Sequence, residues 1–264
     1  MTRLLLLLLA LALRPALAAA TPPEDLVRAE ILPGWQDGEG RHVAGLRLTM
    51  APGWKTYWRA PGDAGIPPEF DWTGSHGVAG VEVRWPVPQV FDQSGMKSIG
   101  YHDEVVLPLE IRTTGAGPVR LAGEIDLGIC HEICVPARLA FSLDLPDPGA
   151  RDREIVAALL DTPLTGAEAG MGAATCRLRS TARGVEITAE LDLPPQGADE
   201  TVAIEAGLPG IWVSEAEVTR TGDRLTARAE ARAESGALML DRSALRLTVI
   251  GAGRAVEVTG CPAG

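Results

Sequence analysis

Between Val27 and Leu145, and again from Cys176 onward, the chain runs in short stretches where apolar and polar residues alternate, each broken by Gly or Pro. A period of two puts every second side chain on one face of a strand, and no helix can use it. In the first half the clearest runs are Ala44–Met50, Val78–Trp85, Val105–Ile111, Val119–Leu127 and Arg138–Leu145. In the second they are Val185–Leu191, Thr201–Ile204, Ile211–Thr219, Leu225–Ala231, Leu238–Leu240, Leu245–Ile250 and Ala255–Cys261. Runs spaced roughly 10 to 15 residues apart, with turn signals between them, predict an all-β sandwich in each half. Between the halves, Pro146-Asp147-Pro148-Gly149 is a breaker cluster. It is followed by Arg151–Leu160, where Ile155, Val156, Leu159 and Leu160 recur at helical spacing. The expected organisation is therefore a leader over 1–20, a first sandwich over 21–146, a linker with a short helix over 147–175, and a second sandwich over 176–264.

The leader is read from Arg3, the apolar run Leu4–Leu13 and the small residues ending Ala18-Ala19-Ala20, a basic start, apolar core and Ala-x-Ala site that mark export. The run falls well short of the roughly 20 residues that span a bilayer, and no later stretch is longer. The expectation is a periplasmic or secreted protein without stable membrane insertion, in a compartment that tolerates disulfides. The formal net charge is −11, so nucleic acid and anionic membrane are not expected partners. Five of the six tryptophans (Trp35, Trp54, Trp58, Trp72, Trp85) and all four histidines lie in the first half, which points to that half as the seat of any chemistry.

The four cysteines separate into a close pair and a distant pair. Cys130 and Cys134 stand three residues apart between two strand-like runs, a spacing that suits a hairpin loop and brings the two within disulfide reach. So short a loop gains little from chain entropy, which leaves room for thiol–disulfide exchange as its purpose. A fixed hairpin staple and a soft-metal site with His131 fit the same spacing, although no further ligands at metal-binding intervals lie near and no metal or other cofactor is expected. His131, when protonated, would favour a Cys130 thiolate and Glu132 would oppose it. Cys176 and Cys261 bracket the second half, and a bond between them would close a loop of about 85 residues, where a structural staple has its largest effect. There is no Gly-x-Ser-x-Gly elbow, triad context or phosphate-binding loop, which sets hydrolase and nucleotide chemistry aside.

Several segments carry a more specific likeness. They are Gly53-Trp54-Lys55-Thr56-Tyr57-Trp58-Arg59-Ala60-Pro61-Gly62-Asp63-Ala64-Gly65-Ile66-Pro67-Pro68, Trp85-Pro86 with Pro88 and Phe91, Gly100-Tyr101 running into Val105–Leu109, and Cys130 to Cys134 followed by Val135-Pro136. In this order they resemble the N-terminal periplasmic domain of the thiol:disulfide interchange protein DsbD, especially the version in the copper-sensitivity suppressor ScsB. The resemblance implies an immunoglobulin-like sandwich whose cysteine pair takes electrons from a membrane thiol carrier and passes them to periplasmic thioredoxin-fold proteins, in settings such as cytochrome c biogenesis or copper tolerance. It also implies aromatic shielding of the disulfide, with Phe91 as the match for the covering residue and Tyr57 for one lining the site. The chain departs from the pattern where Lys55 replaces a frequent tyrosine, and where Gln89 and Val90 replace an acidic residue before the aromatic. Neither a membrane electron carrier nor a thioredoxin-like domain is recognised in the sequence, so a separate donor is expected. The expected activity is a disulfide oxidoreductase relay in the reductase direction through Cys130 and Cys134; a non-enzymatic module binding copper or a partner through the same cysteines is the alternative.

Overall fold

Alternation becomes paired strands wherever one face can be buried against another sheet. The computed structural model describes residues 23–37, 39–63, 65–93, 95–115, 117–233 and 238–264; the expected leader lies outside them. A short helix α1 (Pro23–Leu26) leads into β1 (Val27–Gln36), β2 (Arg41–Met50), β3 (Lys55–Tyr57), β4 (Glu69–Asp71), β5 (Val78–Val83), β6 (Gln89–Gln93), β7 (Met96–His102), β8 (Glu104–Thr113), β9 (Val119–Cys130) and β10 (Cys134–Leu145). These form two facing antiparallel sheets: β1-β2-β8-β5, and β10-β9-β3-β7-β6 with β4 also on β9. Ala44, Leu46 and Leu48 of β2 and Leu121, Ile125, Leu127 and Ile129 of β9 fill the space between them.

The predicted helix appears as α2 (Arg153–Leu160), started by Asp152, whose carboxylate accepts hydrogen bonds from the Glu154 and Ile155 amides. It covers the outer face of the first sheet, where fully buried Ile155 packs with Leu32, Trp35 and Val43. Gly45 makes room for it, since a Cβ there would stand 2.9 Å from the Ile155 side chain. The remaining strands are β11 (Leu164–Thr165), β12 (Ala174–Ser180), β13 (Val185–Asp192), β14 (Thr201–Glu205), β15 (Ile211–Val213), β16 (Glu217–Thr221), β17 (Arg224–Ala233), β18 (Arg246–Ile250) and β19 (Ala255–Thr259). They make a second sandwich of β11-β19-β18-β14 facing β12-β13-β17-β15, with β16 also on β17. The protein is thus all-β, with two immunoglobulin-like sandwiches.

Two local expectations come out differently. The run Ile211–Thr219 is interrupted: Val213 pairs with Ala231 but Glu217 with Arg228, so one extra residue bulges between them, and Ser214 hydrogen-bonds both ways with Glu230. Leu238–Leu240 is not a strand; Leu238 and Leu240 pack on the second core without a sheet partner while Met239 points to solvent. Between the sandwiches, Ala203, Ile250 and Ala255 of the second half belong to the same buried cluster as Trp58 and Tyr101 of the first. Among the described residues no helix is long and apolar enough to cross a membrane.

Candidate functional site

Core residues of β9 are odd-numbered, so the even-numbered Gly128 and Cys130 belong to the outer face of their sheet. Both are nevertheless buried, Cys130 to 1% exposure, because something covers that face. Cys130 is the last residue of β9 and pairs directly with Cys134, the first of β10. Their Cα atoms are 4.1 Å apart and the sulfurs are bonded. The loop His131-Glu132-Ile133 between them is closed by the His131 amide donating to the Ile133 carbonyl. Unlike Cys130, Cys134 is exposed, as is Ile133 beside it. The two sulfurs therefore differ in access: one faces solvent and the other is enclosed.

The enclosure begins with Tyr57 on β3, which is 3% exposed. Its hydroxyl lies 2.8 Å from the Cys130 Sγ and 3.2 Å from the Cys134 Sγ. Neither sulfur of a disulfide carries a proton, so the phenol O–H is the donor. Burial raises the Tyr57 pKa, which keeps that proton in place. Gly65 and Ile66 close over the ring: a Cβ on Gly65 would stand 2.9 Å from Tyr57 Cδ1, and one on Gly128 would meet Ile66 Cβ and Tyr57 Cε2 at 3.0 Å each. A glycine inside a strand is a mark of such close approach, and Gly128 gives the cover its room without naming the residues that supply it.

Lys55 is the cross-strand neighbour of Cys130 on one side and of His102 on the other. It is only 6% exposed, its ammonium donates to the Ser98 hydroxyl at 3.1 Å, and burial lowers its pKa. Phe91 lies three strands over from Cys130 on the same sheet, opposite Ser98. Its ring rests 4.7 Å from the Lys55 ammonium and 6.0 Å from the His102 ring. Phe91 thus reaches the disulfide region through Lys55, while Tyr57 touches the sulfurs themselves. At the hairpin tip, the His131 ring lies against Gly53 and 5.9 Å from Trp54. Among the described residues no group of three or more His, Cys, Asp or Glu is placed to hold a metal ion.

The distant cysteines are also bonded, with Cα atoms 5.3 Å apart and both residues 1% exposed in the second core. The Cys176 amide donates to the Pro262 carbonyl and the Cys261 amide to that of Arg242, so the bond ties the start of the second sandwich to its end.

The sequence model of the family described as "Thiol:disulfide interchange protein DsbD, N-terminal" matches residues 28–146. Among solved structures, the N-terminal periplasmic domain of ScsB from Proteus mirabilis is similar over both sandwiches, with a TM-score of 0.70, 26% identity, and coverage of 93% of this chain and 97% of that one. The reduced DsbD n-terminal domain of Neisseria meningitidis gives a TM-score of 0.30 and 19% identity over 47% of this chain and 89% of that one. Comparison with curated proteins gives no match.

Proposed function

Because residues 28–146 are a domain of the DsbD N-terminal family, a family of thiol–disulfide exchange, we propose that this chain is a periplasmic relay that accepts electrons from a membrane thiol carrier and hands them to thioredoxin-fold proteins through Cys130 and Cys134. The observation that carries the reading is the asymmetry of the pair, an exposed Cys134 sulfur bonded to an enclosed Cys130 sulfur with a phenol proton on both. The periplasmic address rests on the leader expected from the sequence and on the periplasmic ScsB domain that the chain resembles.

In the accepting step a donor thiolate attacks the Cys134 Sγ in line with the bond. A donor–Cys134 disulfide forms, the Cys130–Cys134 bond breaks, and its electron pair leaves on the Cys130 Sγ as thiolate. Tyr57 O–H hydrogen-bonds the charge that develops there, in a site from which water is largely shut out. The donor's second thiol then loses its proton and displaces Cys134 as thiolate, leaving the donor oxidised and this pair reduced by two electrons. Delivery is the reverse: Cys134 attacks a substrate disulfide and Cys130 resolves the mixed bond, regenerating its own disulfide. Exposed Ile133, next to Cys134 in the loop, and exposed Ile66, which packs over Gly128, give a partner apolar surface to dock on.

Trapping tests the reading. With Cys130→Ala, Cys134 engages a partner that nothing can release, so a covalent complex with a thioredoxin-fold protein should accumulate in the periplasm. Cys134→Ala, which leaves only the enclosed thiol, should capture far less. Absence of any mixed disulfide with either variant would overturn the relay.

A further inference from the structure

The turn that closes over Tyr57 is held from the far side by the other sandwich. Arg59, its side chain 13% exposed, lies with its guanidinium 4.1 Å from the centre of the Trp58 ring and reaches across to β14 and β19. It donates to both carboxylate oxygens of Glu205, at 3.0 and 3.1 Å from Nε, and to Glu257 Oε2 at 2.5 Å. Burial works against the charge on Arg59, but the hydrogen bonds and charges of Glu205 and Glu257 outweigh it, and its pKa ends above the usual value. One further contact pins the same turn, Asp63 accepting from the Glu215 amide at 3.1 Å, and Lys97 of the neighbouring β7 pairs with the Glu215 carboxylate. Pro61 connects the ends of this chain of contacts. Its carbonyl accepts from the Ile99 amide on β7, and its ring packs beside Gly65, which lies on the Tyr57 ring.

We propose that the second sandwich is a positioning element of the redox site: Glu205 and Glu257 hold Arg59, and through Arg59 they hold the turn that keeps the Tyr57 hydroxyl on the Cys130 and Cys134 sulfurs. The inference rests on the exchange function proposed above, and it adds a residue set more than a hundred positions away in sequence. Arg59, Glu205 and Glu257 touch no reacting atom; they act through Tyr57. Bidentate pairing of a guanidinium with a carboxylate fixes direction as well as distance, which is what a positioning contact needs.

A mutant cycle on the full chain separates positioning from general stability. The readout is the rate constant for reduction of the oxidised protein by dithiothreitol, which requires no physiological partner. Glu205→Gln with Glu257→Gln should slow reduction roughly three- to tenfold when Tyr57 is present, and by less than about twofold when Tyr57→Phe is already in place, because coupled groups are not additive. Amide hydrogen exchange should rise at Ala60, Gly62, Asp63, Gly65 and Ile66 and stay low in β9. Arg59→Lys, which keeps the charge but loses the fork, should fall between wild type and the double variant. Equal slowing in both backgrounds, no slowing at all, or no effect of Tyr57→Phe would each overturn the positioning role. Should the double variant fail to fold, Asp63→Ala on the rim of the same turn is read by the same cycle, with the same expected and overturning outcomes. Trapping with Cys130→Ala reports on the relay itself, so failure of one idea is distinguishable from failure of the other.

Discussion

Tyr57 is the residue on which the chemistry of the pair depends most directly, because the enclosed Cys130 must leave as a thiolate where little water can reach it. A hydrogen bond to a charged group contributes about 1.5–3 kcal/mol, so Tyr57→Phe should slow disulfide reduction by roughly ten- to a hundredfold. Stopped-flow reduction by dithiothreitol checks the size of the effect. The pH dependence follows from the sign of the shift. Burial raises the Tyr57 pKa, so the phenol stays protonated at every pH below its ordinary value of about 10, and the ratio of wild-type to variant rates should be flat up to there. Above that value the ratio should fall only once pH passes the raised pKa; a fall beginning well below pH ~10 would show that another group donates. Lys55 is the contrasting case, a cation beside Cys130 in register whose ammonium is engaged by Ser98 and faces Phe91. Lys55→Met should loosen Phe91, which the NMR chemical shifts of the Phe91 ring protons, moving toward free-phenylalanine values, would report.

At the scale of elements, β3 is three residues long yet is pinned on both sides, by β7 and by β9. Gly100 allows that approach: a Cβ there would stand 2.0 Å from the Thr56 carbonyl oxygen, its nearest neighbours being β3 backbone with no flexible group to yield. Gly100→Ala should therefore cost about 3 kcal/mol and shift Tyr57 with its strand, which urea unfolding and the dithiothreitol rate measure separately. The hairpin of β9 and β10 was legible in the sequence, because alternation, a three-residue loop and paired cysteines all speak locally about the same turn. Helix α2 was legible for the same reason, its breaker cluster and apolar stripe being contained in one short segment, while its Asp152 cap is seen only in the structure. The cover over the disulfide was not. Ile66, Gly65 and Tyr57 meet Gly128 only through packing across the sheet, and Arg59 finds Glu205 146 residues away, so no local pattern encodes either contact. The bulge at Ser214–Ala216 escaped as well, since a bulge changes register without changing the apolar count of the run.

Over the whole molecule, the two sandwiches are joined by charge at Arg59 and by apolar burial, because Ala203, Ile250 and Ala255 share the cluster that holds Trp58. Continuous burial couples the halves, so unfolding of the wild-type chain should appear as one transition by near-UV circular dichroism and by tryptophan fluorescence alike. The Cys176–Cys261 bond spans 85 positions and ties the first long strand of the second sandwich to its last residues. Removing it with Cys176→Ala and Cys261→Ala should cost up to about 4–5 kcal/mol, most of it from the freed loop of the unfolded state. That loss falls on the second sandwich, whereas the reactive sulfurs belong to the first, so the reduction potential of Cys130–Cys134 should not change in native buffer. The single transition should instead split, the second sandwich melting first at low denaturant. Across that first transition Glu205 and Glu257 release Arg59, and the dithiothreitol rate should drop to that of the Glu205→Gln, Glu257→Gln chain while β9 and β10 remain folded. A rate that stays constant until the first sandwich itself unfolds would mean that the redox pair works independently of its neighbour.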